Sequence, residues 1–476
     1  MDLSDQVNRR DFARRGFVAS IGIAAMLRGA GRERPNILVA ISDDQSWLHT
    51  SAEGDPVVKT PVFDRIAQQG VRFTSAFCCA PSCTPSRGGL LTGQHIWRLK
   101  EGANLFSTLP AKFEVYPDIL ESAGYHVGYM GKGWGPGNFR KGGRTRNPAG
   151  PAYDDFDQFS ASVPRAKPFC FWFGSHDPHR GYVKGSGLKA GLRLDDVQVP
   201  AWLPDDSDVR SDMLDYFFAI QRFDRDLGRI IERIEKAGQL ENTLVVVTSD
   251  NGMPFPRAKA TVYDSGTRMP LAIRWPARIP GGRVVEDLVG HVDLAPTLLE
   301  AAGIAPRPQM NGRSLLKLLE SRKPGLTGQS REFVLSAMER HTNSRAGGAG
   351  YPMRALRTRD YLYIRNFEPD RWPAGDPEDY GEIANCPSKA SMLKYRDDPK
   401  LGRFFRMACA KRPAEELFDL KKDPDQLNNA AGRPEYADIR KSLRTLLDKQ
   451  LIETRDPRMT GGPIIWDSIP YKGQGQ

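Results

Sequence analysis

The chain has 476 residues, 39% of them hydrophobic and 26% charged, with a net charge of +10. That length suffices for a large core, read here as one big domain plus a smaller one in an ordinary globular protein. No apolar run is long enough to span a membrane, and no Lys/Arg run is interleaved with aromatics, so neither stable membrane insertion nor nucleic-acid binding is expected.

Residues 1–30 read as a targeting segment. Asn8-Arg9-Arg10-Asp11-Phe12 is similar to a twin-arginine export motif, followed by a short apolar stretch from Phe17 to Met26. This predicts export to a periplasmic or extracellular location. Removing the segment lowers the net charge to +8, a balance compatible with an acidic or sulfated substrate. Six cysteines are too sparse for a disulfide scaffold, and none forms a C-x-x-C pair or a Cys/His cluster. Cys386 and Cys409 are left able to pair after export.

Asn36 to Ile41 is a continuous apolar run, read as a fully buried strand. Thr60-Pro61 opens a helix, and Gly70 to Phe73 follows as a short strand. Tyr116 to Gly124 is a helix ending at a glycine, and Tyr125 to Met130 returns as a strand. Phe169 to Phe173 reads as another strand. Between Val209 and Ala237, apolar residues at spacings of three or four predict a long amphipathic helix. Leu244 to Thr248 is a second buried strand. The alternation predicts an α/β domain with a mostly parallel sheet. After about Ser336 the character changes. A short strand at Tyr361–Ile364, the segment Glu416–Leu420 before a Lys-Lys-Asp-Pro turn, and a helix over Ala437–Ile452 follow, and Arg345 to Gly350 reads as a flexible loop.

Asp43-Asp44 and Asp250-Asn251 each directly follow a buried strand. Strand carboxyl ends are where ligands bind in open α/β sheets. Three carboxylates and an amide oxygen are hard ligands, suited to calcium or magnesium and not to zinc. Cys83-Thr84-Pro85-Ser86-Arg87 continues as Gly88-Gly89-Leu90-Leu91-Thr92-Gly93. Pro85 suits a first helical turn, which places Cys83 at the positive end of a helix beside Arg87.

This last motif resembles the signature of the formylglycine-dependent sulfatases, of the alkaline phosphatase superfamily. The resemblance covers the mature chain and is closest to the heparan N-sulfatase (sulfamidase) group. Segments Thr248–Pro256, His176–Arg180 and Tyr351-Pro352-Met353-Arg354 carry that closer likeness. It implies a large, mostly parallel mixed sheet sandwiched by helices over 31–340. A smaller antiparallel sheet-plus-helix subdomain is implied over 341–476.

It also implies that Cys83 is oxidised by a formylglycine-generating enzyme to 3-oxoalanine, whose hydrate is the nucleophile. Asp43, Asp44, Asp250, Asn251 and modified Cys83 would hold a divalent cation, calcium or else magnesium. Arg87 would sit beside the nucleophile, Lys132 and Lys259 would contact sulfate, and His179 would face the leaving group as general acid. The family's histidine two residues after the lysine is missing, because the run here is Lys132-Gly133-Trp134. Its role is left unassigned.

The implied reaction is hydrolysis of a sulfate ester or sulfamate, on a saccharide such as a heparan-type glycan or on another small sulfated substrate. Attack on sulfur gives a covalent sulfo-enzyme, and the second geminal hydroxyl then expels sulfate. Asp177, Glu339, Arg340 and His341 are candidate sugar contacts, the last three at the junction of the two domains. Two other readings stay open: a phosphonate monoester or phosphodiester hydrolase of the same superfamily, and a non-catalytic binder of sulfated glycans in which Cys83 is never modified. Natural substrate, endo or exo action and oligomeric state are not legible in the sequence.

Overall fold

The structure is a computed structural model that describes residues 34–328 and 331–471. The targeting segment expected over 1–30 lies outside the described residues. No helix among those residues is long and apolar enough to cross a membrane.

The larger sheet has eight strands. They are β1 (Asn36–Ser42), β2 (Val71–Phe77), β3 (His126–Gly131), β4 (Phe169–Gly174), β5 (Thr243–Ser249), β6 (Arg268–Arg274), β7 (Arg283–Val285) and β8 (Val289–Gly290). Their order is β3-β4-β1-β5-β6-β2-β7, with β8 also on β2. All pairings are parallel except those of β6, which runs antiparallel to both β5 and β2. Strand β1 explains why the sheet is two-sided. Ile37, Val39 and Ile41 enter one core, and Leu38 and Ala40 enter the other. Both faces are covered, so the strand reads as an unbroken apolar run.

Helix α1 (Pro61–Gln69) and the 30-residue α3 (Ser207–Lys236) cover one face through Phe63, Ile66, Phe223, Leu227, Ile230 and Ile234. Asp206 caps α3 by accepting from the Val209 N–H at 2.9 Å. The opposite face packs α2 (Cys83–Thr92) through Leu90 and Leu91. Every residue of α2 is buried. A Cβ at Gly89 would lie 2.2 Å from Cys79 Sγ, and Gly93 ends the helix at φ 66°, where a side chain would be strained. The glycines of the motif therefore serve the helix's burial and its end.

The second sheet is antiparallel, in the order β12-β11-β10-β9, with β9 (Phe333–Met338), β10 (Met353–Thr358), β11 (Tyr361–Asn366) and β12 (Glu415–Asp419). Helix α4 (Ala437–Glu453) packs on it through Leu443, Leu447 and Leu451. Strand β9 lies N-terminal to residue 340, so the second sheet begins before the expected boundary. The two units also share a core in which Cys79, Ile96 and Trp97 meet Leu335, Leu356 and Leu447. The Ala337 N–H donates to the Cys79 carbonyl at 2.9 Å, joining β9 to the segment that leads into α2.

The glycine-rich stretch after Ser344 is tied down, contrary to the flexible loop expected. Arg345 is buried, pairs with Glu382 at 2.6 Å and donates to the carbonyls of Trp372 and Pro373. All six cysteines are free thiols, Cys386 and Cys409 included.

Candidate active site

The sheet's register assembles the site. Ser42 pairs with Ser249, Gly131 with Gly174 and Ile41 with Gly174, so β1, β3, β4 and β5 end side by side. Residues just past those ends are Asp43-Asp44, Lys132, His176–Arg180 and Asp250-Asn251. Strand β2 also points this way, being antiparallel to β6, and delivers the chain to Cys83. Segments far apart in sequence thus converge on one cavity of about 890 Å³.

Ligand atoms of Asp43, Asp44, Cys83 and Asp250 all lie within 4.8 Å of one another, and all four residues are buried. Cys83 Sγ is 3.6 Å from Asp43 Oδ1 and 3.8 Å from Asp44 Oδ1. Asn251 joins them, its amide nitrogen 2.7 Å from Asp44 Oδ1. Its Oδ1 is buried without a hydrogen-bond partner among the described residues. An orphaned buried amide oxygen beside three carboxylates fits a hard divalent cation. Asp44 sits at φ 71°, a strained backbone that turns its carboxylate into the cluster.

Cationic side chains complete the cluster. Arg87 Nε donates to Asp250 Oδ2 at 2.8 Å, and its NH1 donates to the carbonyls of Lys132 and Gly133. Lys132 Nζ bonds both oxygens of Asp43 at 2.7 and 2.6 Å, and Lys259 Nζ bonds Asp44 Oδ2 at 2.5 Å. Burial opposes ionisation of Asp43 and Asp44. Burial is the largest single effect on each, yet Lys132, Arg87 and His179 together outweigh it for Asp43, and Lys259, His179 and Lys132 together for Asp44, so both carboxyls are held below the usual range. Burial likewise pushes the Cys83 thiol up, which keeps the unmodified side chain protonated. Asp43, Asp44 and Asp250 are matched in charge by Arg87, Lys132 and Lys259.

His179 is half-exposed, with Nε2 3.8 Å from Asp44 Oδ2. Its Nδ1 faces the Arg180 carbonyl at 3.0 Å, and a carbonyl can only accept, so Nδ1 carries a proton and Nε2 is the atom free to exchange one. Arg180 anchors this strap by pairing with Asp212 at 2.7 and 2.9 Å and stacking 4.5 Å over the Phe255 ring.

Asp177 lines the cavity and pairs with Arg222 at 2.9 and 2.5 Å. Of the three junction residues only His341 lines it. Glu339 is 1% exposed and pairs with Arg354 at 2.5 Å and Arg458 at 2.6 Å. Arg340 donates to the carbonyls of Gly348 and Ile469. Its side chain therefore faces the C-terminal segment. The structure adds cavity residues that no sequence pattern marks, Arg222 inside α3 and Phe106 and Phe139 on loops, and it places His176 of the His176–Arg180 segment in the wall as well. Trp134 and Pro136, from the segment that replaces the expected histidine, form part of the wall.

The sulfatase sequence profile matches residues 35–304, and the profile of the C-terminal region of N-sulphoglucosamine sulphohydrolase matches residues 257–395. An ulvan-active sulfatase of Formosa agariphila is 28% identical, over 89% of this chain and 76% of its own. Human N-sulphoglucosamine sulphohydrolase is also 28% identical, over 91% of this chain and 93% of its own. One solved structure, described as in complex with its substrate D-glucosamine-2-N,6-O-disulfate, superposes with TM-score 0.68 at 20% identity, covering 89% of this chain and 99% of the other. A phosphonate monoester hydrolase from Silicibacter pomeroyi shares the fold, with TM-score 0.67 at 18% identity over 89% and 96%. Matched over more than half its length by that first profile, and folded as those enzymes are, the chain belongs to the sulfatase family of sulfuric ester hydrolases.

Proposed function

We propose that this protein hydrolyses a sulfate ester or N-sulfate on a saccharide of heparan type, using a formylglycine made from Cys83 and a bound divalent cation. The observation that carries the reading is the meeting of Cys83 with Asp43, Asp44 and Asp250 in a buried cluster whose Cys83 and Asp43 open onto a cavity also lined by Lys132, Lys259 and His179. The match of residues 257–395 to the sulphohydrolase C-terminal profile supports the N-sulfated saccharide.

Asp43, Asp44, Asp250 and Asn251 would hold the cation. When bound, calcium or magnesium would polarise the sulfuryl oxygens and offset charge that develops as the bond to sulfur breaks. A hydrated aldehyde at residue 83 would supply both the attacking hydroxyl and the second hydroxyl needed for release of sulfate. Lys132 and Lys259 orient the sulfate, and Arg87 fixes Asp250 and the Lys132 backbone. His179 Nε2 delivers the proton to the departing oxygen or nitrogen, which requires its imidazolium form. Asp177 and Arg222, together at the rim, contact the sugar.

Maturation by a formylglycine-generating enzyme, and export through Asn8–Phe12, belong to the same reading. Mass spectrometry of the Cys83 peptide should show the aldehyde. Turnover should be faster on defined N- or O-sulfated glucosamine saccharides than on phosphonate monoesters or phosphodiesters. An unmodified cysteine in protein expressed with the maturation enzyme would leave only glycan binding. Faster phosphonate cleavage would move the protein to the neighbouring hydrolase class.

A further inference from the structure

Ser82 occupies the N-cap of α2, immediately before Cys83, yet its side chain makes no capping bond to the helix. Serine at this position ordinarily accepts from the N–H two or three residues on. Here the residue three positions on is Pro85, which has no N–H, and the hydroxyl is turned elsewhere. Ser82 Oγ lies 2.8 Å from Nδ1 of His341, a residue 259 positions away. Both side chains are buried.

His341 is held at this contact from several sides. Glu339, two residues earlier, is locked by Arg354 and Arg458. The Arg340 carbonyl accepts from the Leu105 N–H at 3.1 Å. The Thr342 N–H donates to Glu382 Oε2 at 3.0 Å. The imidazole lines the same cavity as Cys83, Lys132, Lys259 and His179. Burial pushes it down to about 4, so it is neutral at working pH.

The chain's other histidines narrow the choice. His49 bonds Asp55, His95 stacks on Trp97, His126 begins β3 and His291 is buried against Thr248. Only His176, His179 and His341 line the cavity, and of these only His341 touches the residue next to the nucleophile.

We propose that His341 is a positioning residue for the nucleophile: through Ser82 it fixes the first turn of α2 and so aims residue 83 at the sulfur. The smaller subdomain thereby completes the active site in a chain whose Lys132 segment lacks a histidine. The assignment rests on the functional reading above, and it replaces a sugar contact as the role of His341.

The test is a double-mutant cycle of Ser82→Ala and His341→Ala, with His341→Asn as the conservative variant. An asparagine amide can reach the place of Nδ1. Each protein is first checked by mass spectrometry for conversion of Cys83, and rates are referred to converted enzyme. Each single change should lower kcat by about tenfold, the size of one lost hydrogen bond, on an aryl sulfate and on a sulfated saccharide alike. KM should stay within about twofold, the double variant should be no slower than either single one, and His341→Asn should recover most of the loss.

The same cycle is run on unfolding free energy, which needs no substrate, and should show coupling between the two sites. Additive stability effects would overturn the contact. Coupling in stability with kcat unchanged, or losses confined to the saccharide, would overturn the positioning role. Absence of wild-type turnover on any sulfate would instead sink the functional reading, while the stability cycle still decides the contact.

Discussion

Arg87 Nε donates to Asp250 Oδ2 at 2.8 Å with both side chains fully buried, and this pair joins the helix that starts at Cys83 to the end of β5. Its second arm reaches the Lys132 and Gly133 carbonyls, so one guanidinium fixes three of the segments that meet at the site. Planar geometry and a permanent charge suit arginine to this place better than lysine.

Asp250→Asn keeps the shape and one acceptor for Arg87 while removing a charge from the proposed cation site. Bound calcium, measured by elemental analysis, should fall well below one per chain. The rate should fall by about a hundredfold or more, because a cation bound there would supply several kcal/mol at the transition state. Excess calcium should restore activity only in part. Unchanged calcium content would remove Asp250 from the site.

Asp212 holds Arg180, and Arg180 adjoins His179 and stacks on Phe255. The same carboxylate accepts from Ser388 Oγ at 2.6 Å. Asp212→Ala should lower stability by about 3 kcal/mol, since it strands a nearly buried guanidinium. On the proposed roles it should also lower kcat more than it raises KM, because a loosened strap would misplace His179 and leave Lys132 and Lys259 in place. Steady-state kinetics beside a denaturant titration would separate the two effects. A pure rise in KM would argue that the strap binds sugar instead.

Glu339 sits between Arg354 and Arg458, and Arg354 also pairs with Asp456 at 2.6 Å. Breaking one partner of such a buried network is costly because uncompensated charge is left behind. Glu339→Ala should therefore destabilise by about 3–5 kcal/mol in urea titrations. Its effect on aryl sulfate and on saccharide should be the same. A loss restricted to the saccharide would restore Glu339 as a sugar contact.

Acid should unfold the protein from the histidine side first. Burial pushes His95 down to about 3 and His291 and His341 to about 4, with Arg331 adding to the shift of His95. Unfolded histidines titrate near 6.5, so between that pH and 4 the unfolded chain binds more protons. Their stability contribution is complete above about 6.5 and is lost as pH falls towards 4. Asp224, raised to about 6 by burial, acts in the opposite sense, as one group against three. Tm should drop between pH 7 and pH 4.5, and His291→Gln should flatten that slope. A flat Tm across this range would show that these side chains are already solvated.

Sequence alone marked the Cys83 motif, both acidic pairs and the alternation that makes a mostly parallel sheet. These are local signals: a buried strand is an apolar run, and an acidic pair follows where the strand ends. The long helix was legible for the same reason, since its apolar stripe repeats every three or four residues. The structure drew the boundary of the second sheet differently because β9 pairs with β10 and its Ala337 also bonds the Cys79 carbonyl. That partnership leaves no mark in composition.

The identity of the cavity wall was likewise decided by tertiary packing. Glu339, Arg340 and His341 are adjacent in sequence, yet only the third reaches the cavity, because Arg354 and Arg458 claim the first and carbonyl oxygens the second. Ser82 looks like an ordinary helix cap until His341 is seen beside it. A hydrogen bond spanning 259 residues depends on how two sheets dock, and no local pattern encodes that distance.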